Sequence, residues 1–145
     1  MKRILLDSDV ILDLLLERHT FCNDANMLVL ACEQKLFHGY MTPVSIANVY
    51  YIFRQNASHV KVIEQLQLLL KIIGILNMDQ KQVLAALDSK FTDFEDALQY
   101  YSALNSNKID AIITRNVKDF KKSALPVFSP AEFLATLYPP KDFFC

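Results

Sequence analysis

Short apolar runs alternate along the chain with stretches in which apolar residues recur at helical spacing. The runs predict five buried strands, at residues 3–8, 39–42, 74–78, 110–114 and 126–129. The periodic stretches predict helices at residues 9–16, 23–36, 43–54, 58–73, 79–88 and 92–105, and from residue 130 onwards. Because most connections between strands are helical, we expect an α/β fold with a largely parallel sheet covered on both faces.

Capping signals support several of these helix starts. Thr42 followed by Pro43 is typical of a helix N-terminus, with a capping residue and then proline at the first helical position. Thr92 and Glu95 are three residues apart and match a capping box, which predicts a helix that begins after Thr92. No linker or repeat interrupts the pattern, so residues 1–145 are expected to form a single domain.

Acidic residues stand where predicted strands end and where one predicted helix begins. Asp7 ends the first apolar run, Asp9 follows it, and Asp119 lies just beyond the fourth predicted strand. Asp93 and Asp96 share one face at the start of a helix. Since the functional crevice of a parallel sheet lies at the carboxyl ends of its strands, we expect Asp7, Asp96 and Asp119 to converge there. Clustered carboxylates repel one another unless a cation such as Mg²⁺ neutralises them.

Each of these acids also has a structural alternative that the pattern leaves open. Asp93 suits a helix cap or first-turn acid, and Asp96 suits an exposed acid that the helix dipole favours. Ser8 and Asp9 both suit the cap of the first helix. Asp13 is expected to face solvent.

Basic residues are few near the predicted site. Arg115, Lys118, Lys121 and Lys122 follow the fourth predicted strand, where they form either a solvated loop or a rim that contacts phosphates. The net charge of −1 provides no global positive field for nucleic acid. The chain has only 2 glycines and no glycine-rich phosphate loop.

The chain is expected to be soluble and cytoplasmic. Asp7 and Asp9 interrupt the apolar start before a signal-peptide core is complete. The helix predicted at 58–73 is too short and too polar to span a bilayer. The 3 cysteines are an odd number without zinc-binding spacing, which fits a reducing compartment.

Four segments in this order resemble the PIN-domain family of metal-dependent ribonucleases, which includes the VapC-like toxins of bacterial toxin–antitoxin pairs. They read ILLDSDVILDLL near the N-terminus, MTPVSIANVYYIF in the middle, and then DFEDALQYYSAL and IDAIITRNVKDF. The resemblance implies a three-layer α/β/α sandwich on a mostly parallel sheet of about five strands. It covers nearly the whole chain.

The resemblance also implies site residues. The family's first catalytic aspartate falls on Asp7, its third acid on Asp96 with Asp93 as a frequent neighbour, and its last acid on Asp119. Asn116 lies close to this last position and is expected, with Arg115 and Lys118, to bind the substrate.

One position departs from the family pattern. The second acid of the family is usually a glutamate on the helix after the second strand, and here that position holds Asn48. An amide oxygen can bind a hard cation or a water on it but brings no negative charge. Asp9, which stands where the family often has asparagine, is expected to restore that charge as a further metal ligand. The alternative is a weakened or lost activity.

Three functions follow from these residues. The first is an endoribonuclease that uses Mg²⁺ or Mn²⁺ and is the toxin of a toxin–antitoxin pair. The second is a weakened PIN-like module that binds RNA or protein without cutting, which Asn48 favours. The third is a haloacid-dehalogenase-like phosphatase with Asp7 as nucleophile and Asp9 as general acid, which the rest of the sequence serves poorly.

A protein partner is also expected. The high apolar content and the C-terminal Tyr138, Phe143 and Phe144 suggest exposed apolar surface, which typically marks an interface. That surface would serve an antitoxin protein or a homodimer.

Overall fold

The structure is a computed structural model that describes residues 2–106 and 108–138. The strands found there are β1 (Arg3–Leu6), β2 (His38–Met41), β3 (Gly74–Ile75), β4 (Ala111–Ile113) and β5 (Val127–Phe128). The helices are α1 (Ser8–Leu15), α2 (Cys22–Glu33), α3 (Pro43–Arg54), α4 (His59–Leu69), α5 (Gln80–Leu87), α6 (Phe94–Asn105) and α7 (Pro130–Leu137), with a short 3₁₀ helix at Val117–Phe120.

The five strands form one sheet in the order β3-β2-β1-β4-β5, and every neighbouring pair is parallel. β1 lies at the centre, where Leu5 pairs with Tyr40 of β2 and with Ile112 of β4. The prediction of a largely parallel α/β sheet of five strands is therefore confirmed. Because β1 and β4 are neighbours, the residues that follow them meet at one edge of the sheet.

Alternating side chains on the central strands build two apolar layers. Ile4 and Leu6 of β1 are fully buried on one face, in a core shared with α1, α2, α3, α4 and α7. Leu5 and Ile112 face the opposite side and pack with Tyr100 of α6. Since successive side chains of a strand point to opposite faces, the apolar run of β1 requires cover on both sides. The result is the expected α/β/α sandwich.

The structure corrects several details at the helix starts. The cap of α6 is Asp93, whose carboxylate accepts from the backbone N–H of Asp96, so the predicted Thr92–Glu95 capping box is wrong. The cap of α1 is Asp7, so Asp9 lies inside the first turn and does not cap it. Glu95 is therefore not part of a capping box, and its carboxylate contacts other residues instead.

Asp13 was expected to face solvent, and that expectation is wrong because the residue is only 1% exposed. The periodicity of α1 places it among Val10, Ile11 and Leu12, which are all buried. Burial of this carboxylate is compensated by ion pairs that a local pattern cannot show.

Tyr138 is 46% exposed, whereas Phe143 and Phe144 of the predicted apolar C-terminus lie outside the described residues.

Across residues 2–106 and 108–138, none of the helices has the length and apolar character needed to cross a membrane.

Candidate metal centre

Asp7 lies at the carboxyl end of β1 and is held there by donors from three elements. It is 6% exposed. Its Oδ1 accepts from the Ser8 backbone N–H at 2.7 Å and from Gln99 Nε2 at 2.9 Å, and its Oδ2 accepts from the Thr114 hydroxyl at 2.8 Å. These hydrogen bonds to a charged acceptor fix the orientation of the carboxylate.

Asp9 lies in the first turn of α1, close to Asp7. Its carboxylate accepts from the backbone N–H of Arg115 at 3.2 Å and from Asn116 Nδ2 at 3.2 Å. Burial, followed by the charge of Asp7, raises the pKa of Asp9 to about 7, and the nearby Arg115 opposes that rise. The two carboxylates therefore resist being charged together when no cation is present.

Asp96 reaches the same place from the first turn of α6. Burial raises its pKa to about 8, and the charges of Asp7, Asp93, Asp119 and Glu95 add to the rise. The Asp93 carboxylate is 2.9 Å from the Asp96 backbone N–H that it caps. The acids that raise the pKa of Asp96 thus lie directly after β1, at the start of α6 and in the 3₁₀ helix.

Glu95 forms a second group of contacts with α1 and α3. Its Oε1 accepts from the Ser8 hydroxyl at 2.6 Å and lies 3.5 Å from the donor Asn48 Nδ2. The same amide nitrogen is 3.3 Å from the Ser8 hydroxyl oxygen. Burial raises the pKa of Glu95, and the Ser8 hydrogen bond opposes this rise. Asn48 therefore points at a carboxylate rather than away from the site.

Arg115 binds both carboxylate oxygens of Asp13 through one edge of its guanidinium group. Nε and Nη2 lie 2.9 Å and 3.0 Å from the two carboxylate oxygens, and the guanidinium stacks 4.1 Å above the ring of Phe21. Arg18 adds a contact of 3.2 Å to Asp13. These contacts hold the loop after β4 against α1, so that the Arg115 backbone N–H can face Asp9.

Most of the residues predicted for the site line one open cleft of about 330 Å³. The eight predicted residues along it are Asp7, Asp9, Asn48, Asp93, Asp96, Arg115, Asn116 and Asp119. Lys118 lines a neighbouring groove of about 260 Å³, which shares Asp119 with the first. That groove also contains Lys90, Lys121 and Lys122. An acidic centre and a basic groove are therefore adjacent.

The chemistry of the cleft suits a hard divalent cation. The carboxylate and amide side chains that line it offer oxygen ligands and no sulfur, and burial raises the pKa values of Asp9 and Asp96 to about 7 and about 8. Within the described residues, no three acidic, histidine or cysteine side chains are placed to hold one ion together. Mg²⁺ is commonly bound by one or two carboxylates with water in the remaining positions, which this arrangement allows.

The sequence interpretation missed three polar residues of this region. Glu95 was assigned to a capping box with Thr92, which concealed its contact with Ser8. Gln99 follows Asp96 by three residues on the same helical face, and this spacing was the signal that could have revealed it. Thr114 directly follows the apolar residues of β4, in the same way that Asp7 directly follows those of β1.

Several solved structures have a fold similar to that of this chain. VapBC2 from Rickettsia felis, bound to a DNA fragment from its promoter, has a TM-score of 0.66 at 15% identity, covering 88% of this chain and 97% of that one. VapC20 from Mycobacterium tuberculosis, a toxin that cleaves the sarcin-ricin loop, has a TM-score of 0.60 at 12% identity over 75% and 86%. FitAcB from Neisseria gonorrhoeae has a TM-score of 0.56 at 17% identity over 88% and 98%.

No curated protein matches the chain in sequence. A family model described as PIN domain, however, matches residues 3–118, which include all the elements from β1 to β4. The solved structures described above share the fold of this chain, which agrees with this match. The chain therefore belongs to the PIN domain family.

Proposed function

We propose that this protein is a metal-dependent endoribonuclease that hydrolyses RNA phosphodiester bonds and is the toxin of a toxin–antitoxin pair. The observation that carries the proposal is the convergence of Asp7, Asp96 and Asp119 on one cleft at the carboxyl ends of β1 and β4. Membership of the PIN domain family favours this function over the phosphatase alternative.

The residues of the cleft would hold the cation and the attacking water in fixed positions. Bound Mg²⁺ or Mn²⁺ supplies positive charge that activates water and stabilises the developing negative charge on the phosphate. Asp7 is preorganised for this purpose by Ser8, Gln99 and Thr114, so little reorganisation accompanies binding. Asp96 and Asp119 line the same cleft and would orient the water for in-line attack.

The basic groove beside the cleft supports a nucleic-acid substrate. Lys90, Lys118, Lys121 and Lys122 line or border it, next to Asp119. Contacts of this kind position a phosphate backbone without reading its sequence. Asn116 is exposed at the boundary between the acidic and basic regions, where its amide can contact RNA. Arg115 has a smaller free surface for RNA because Asp13 already binds its guanidinium.

A toxin–antitoxin role is supported by similarity to complexes and to an RNA-cleaving toxin. VapBC2 was solved bound to a DNA fragment from its promoter, and VapC20 is a toxin that cleaves the sarcin-ricin loop. This chain also exposes large apolar side chains on several helices, including Tyr51, Leu68 and Leu87. We expect exposed apolar side chains of this kind to take part in binding an antitoxin protein or a second copy of the chain.

The contact of Asn48 favours a second candidate, a PIN module that binds RNA or protein without cutting. Asn48 brings no negative charge, and its amide nitrogen points toward Glu95 and Ser8. A site with one carboxylate fewer attracts the cation less strongly. In this second candidate the basic groove would bind RNA while the cleft stays inactive.

Cleavage of a labelled single-stranded RNA distinguishes the two. We expect cleavage with Mg²⁺ or Mn²⁺, none in EDTA, and a loss of several orders of magnitude in Asp7→Asn and Asp96→Asn. Asp88→Asn removes an exposed carboxylate outside the cleft and is expected to cleave like the wild type. Equal cleavage in EDTA or in both cleft variants would contradict the metal mechanism. RNA binding without cleavage under every metal condition would support the binding module.

A further inference from the structure

Glu95 connects three elements that surround the cleft. It belongs to the first turn of α6, yet its carboxylate accepts a hydrogen bond of 2.6 Å from Ser8 at the start of α1. On the other side it lies 3.5 Å from the amide nitrogen of Asn48 on α3. The Glu95 side chain therefore extends from α6 towards Asn48 on α3, and both residues line the same cleft as Asp7.

This carboxylate is half-buried without a basic partner. Both ion pairs found among the described residues involve Asp13, and neither includes Glu95. Desolvation of a carboxylate is costly unless hydrogen bonds or a cation compensate it. The hydrogen bonds from Ser8 and Asn48 within 3.5 Å both reach Oε1, and a hydrogen bond from Ser45 also lowers the pKa of Glu95. The groups that contact the Glu95 carboxylate in the described structure are neutral, so no positive charge compensates it there.

We propose that Glu95 supplies the carboxylate on the α3 side of the metal centre, a role that the amide of Asn48 cannot fill. The inference rests on the proposed metal-dependent function, and it assigns to α6 a negative charge that α3 lacks. Asn48 then acts as a positioning residue, because its N–H group and the Ser8 hydroxyl both orient Oε1. Glu95 binds the cation through Oε2, directly or through a water molecule.

A purely structural role for Glu95 leads to different expectations. If the carboxylate served only to fasten α6 to α1, an isosteric amide would keep the Ser8 hydrogen bond and leave metal affinity unchanged. If it serves the metal, loss of its charge weakens cation binding while relieving repulsion from Asp7 and Asp93 in the metal-free protein. The metal-free form would then become more stable as its metal affinity falls.

Mn²⁺ titration by calorimetry, with thermal unfolding in EDTA and in Mn²⁺, separates these roles. For Glu95→Gln we expect Mn²⁺ affinity to fall about 10- to 100-fold, the range found when a group supporting a metal site is removed. We expect its melting temperature in EDTA to equal or exceed that of the wild type. Glu64→Gln makes the same chemical change on the exposed face of α4 and should leave both quantities unchanged.

A double variant that moves the negative charge from one position to the other provides a stronger test. The double variant Asn48→Glu/Glu95→Gln moves the negative charge from α6 to its neighbour on α3, and we expect Mn²⁺ affinity to return close to the wild-type value. Unchanged affinity in Glu95→Gln would overturn the assignment, as would a loss that the double variant does not restore. If Glu95→Gln fails to fold, Glu95→Asp replaces it, because aspartate keeps the negative charge on a side chain that is one methylene shorter. Mn²⁺ affinity that is undiminished in Glu95→Asp would also overturn the assignment.

The same titration distinguishes failure of this inference from failure of the proposed function. Wild-type protein that binds Mn²⁺, with loss in Asp7→Asn but not in Glu95→Gln, overturns the role of Glu95 alone. Wild-type protein that binds no Mn²⁺ overturns both.

Discussion

Gln99 holds Asp7 by a buried hydrogen bond of 2.9 Å from its amide nitrogen to carboxylate Oδ1. Both residues are buried, and Gln99 is fully inaccessible to solvent. An ionised carboxylate only accepts hydrogen bonds, so Gln99 contacts it through its NH₂ group, and the Gln99 side-chain oxygen points away from Asp7. Among the described residues that oxygen has no hydrogen-bond partner. Gln99 thus positions Asp7 at some cost to its own hydrogen bonding.

Gln99→Met should impair the site more than the fold. Loss of a hydrogen bond to a charged group costs about 1.5–3 kcal/mol, and removing the unpaired oxygen returns about 1–3 kcal/mol. We therefore expect the free energy of unfolding to change by less than about 1 kcal/mol, with RNA cleavage reduced tenfold or more. Urea denaturation and cleavage rates measure the two effects, and Gln67→Met on exposed α4 is the control. A large loss of stability with full activity would assign Gln99 to the fold alone.

Asp13→Asn should destabilise the protein without affecting metal binding. The Asp13 carboxylate is buried and pairs with Arg115 through two contacts and with Arg18 through a third. Loss of hydrogen bonds between charged groups here should lower the free energy of unfolding by about 1.5–3 kcal/mol. Urea denaturation measures this loss, and Mn²⁺ titration should show wild-type affinity. Wild-type stability in Asp13→Asn would mean that the Arg115 contacts contribute little.

The stability of the metal-free protein should fall as the pH rises from about 4 to 8. The pKa values of Asp9 and Asp96 are raised from 3.8 to about 7 and about 8, so the folded state binds more protons than the unfolded state in this interval. Unfolding is therefore favoured by higher pH. Melting temperatures in EDTA should decrease across this range, and less steeply in Asp96→Asn. Equal slopes in the variant and the wild type would contradict the raised pKa of Asp96.

Asn48→Glu as a single change should tighten Mn²⁺ binding and weaken the metal-free fold. Asn48 lies in the second turn of α3 and faces the cleft, so a carboxylate there adds attraction for the cation. It also stands next to Glu95, whose charge repels it when no cation is present. We expect a lower melting temperature in EDTA and a larger rise on adding Mn²⁺. Unchanged Mn²⁺ affinity would indicate that Asn48 faces the site only as a structural residue.

The sequence predicted the fold well because its signals are local and repeated. Five apolar runs separated by helical periodicity are enough to predict a parallel sheet, and Thr42 caps α3 as its pattern indicates. The acids after β1 and β4 were predicted to converge because neighbouring parallel strands end at the same edge. Their contribution to catalysis remains a prediction.

What the sequence could not predict depends on contacts between distant residues. The burial of Asp13 requires Arg115, which is 102 residues away in the chain. Glu95 fits a capping box by spacing, and only the contact with Ser8, 87 residues away, shows its other role. A charged residue near the end of an element has several uses of similar free energy, and tertiary packing selects among them.

The most direct test of a metal centre at this cleft is a calorimetric Mn²⁺ titration of wild-type protein beside Asp7→Asn. Asp7 is the acid to which Ser8, Gln99 and Thr114 all donate, and asparagine keeps its shape without its charge. We expect saturable Mn²⁺ binding by the wild type and its loss in the variant, with both proteins folded by circular dichroism. Equal binding by the two proteins, or no binding by the wild type, would contradict a metal centre at this cleft.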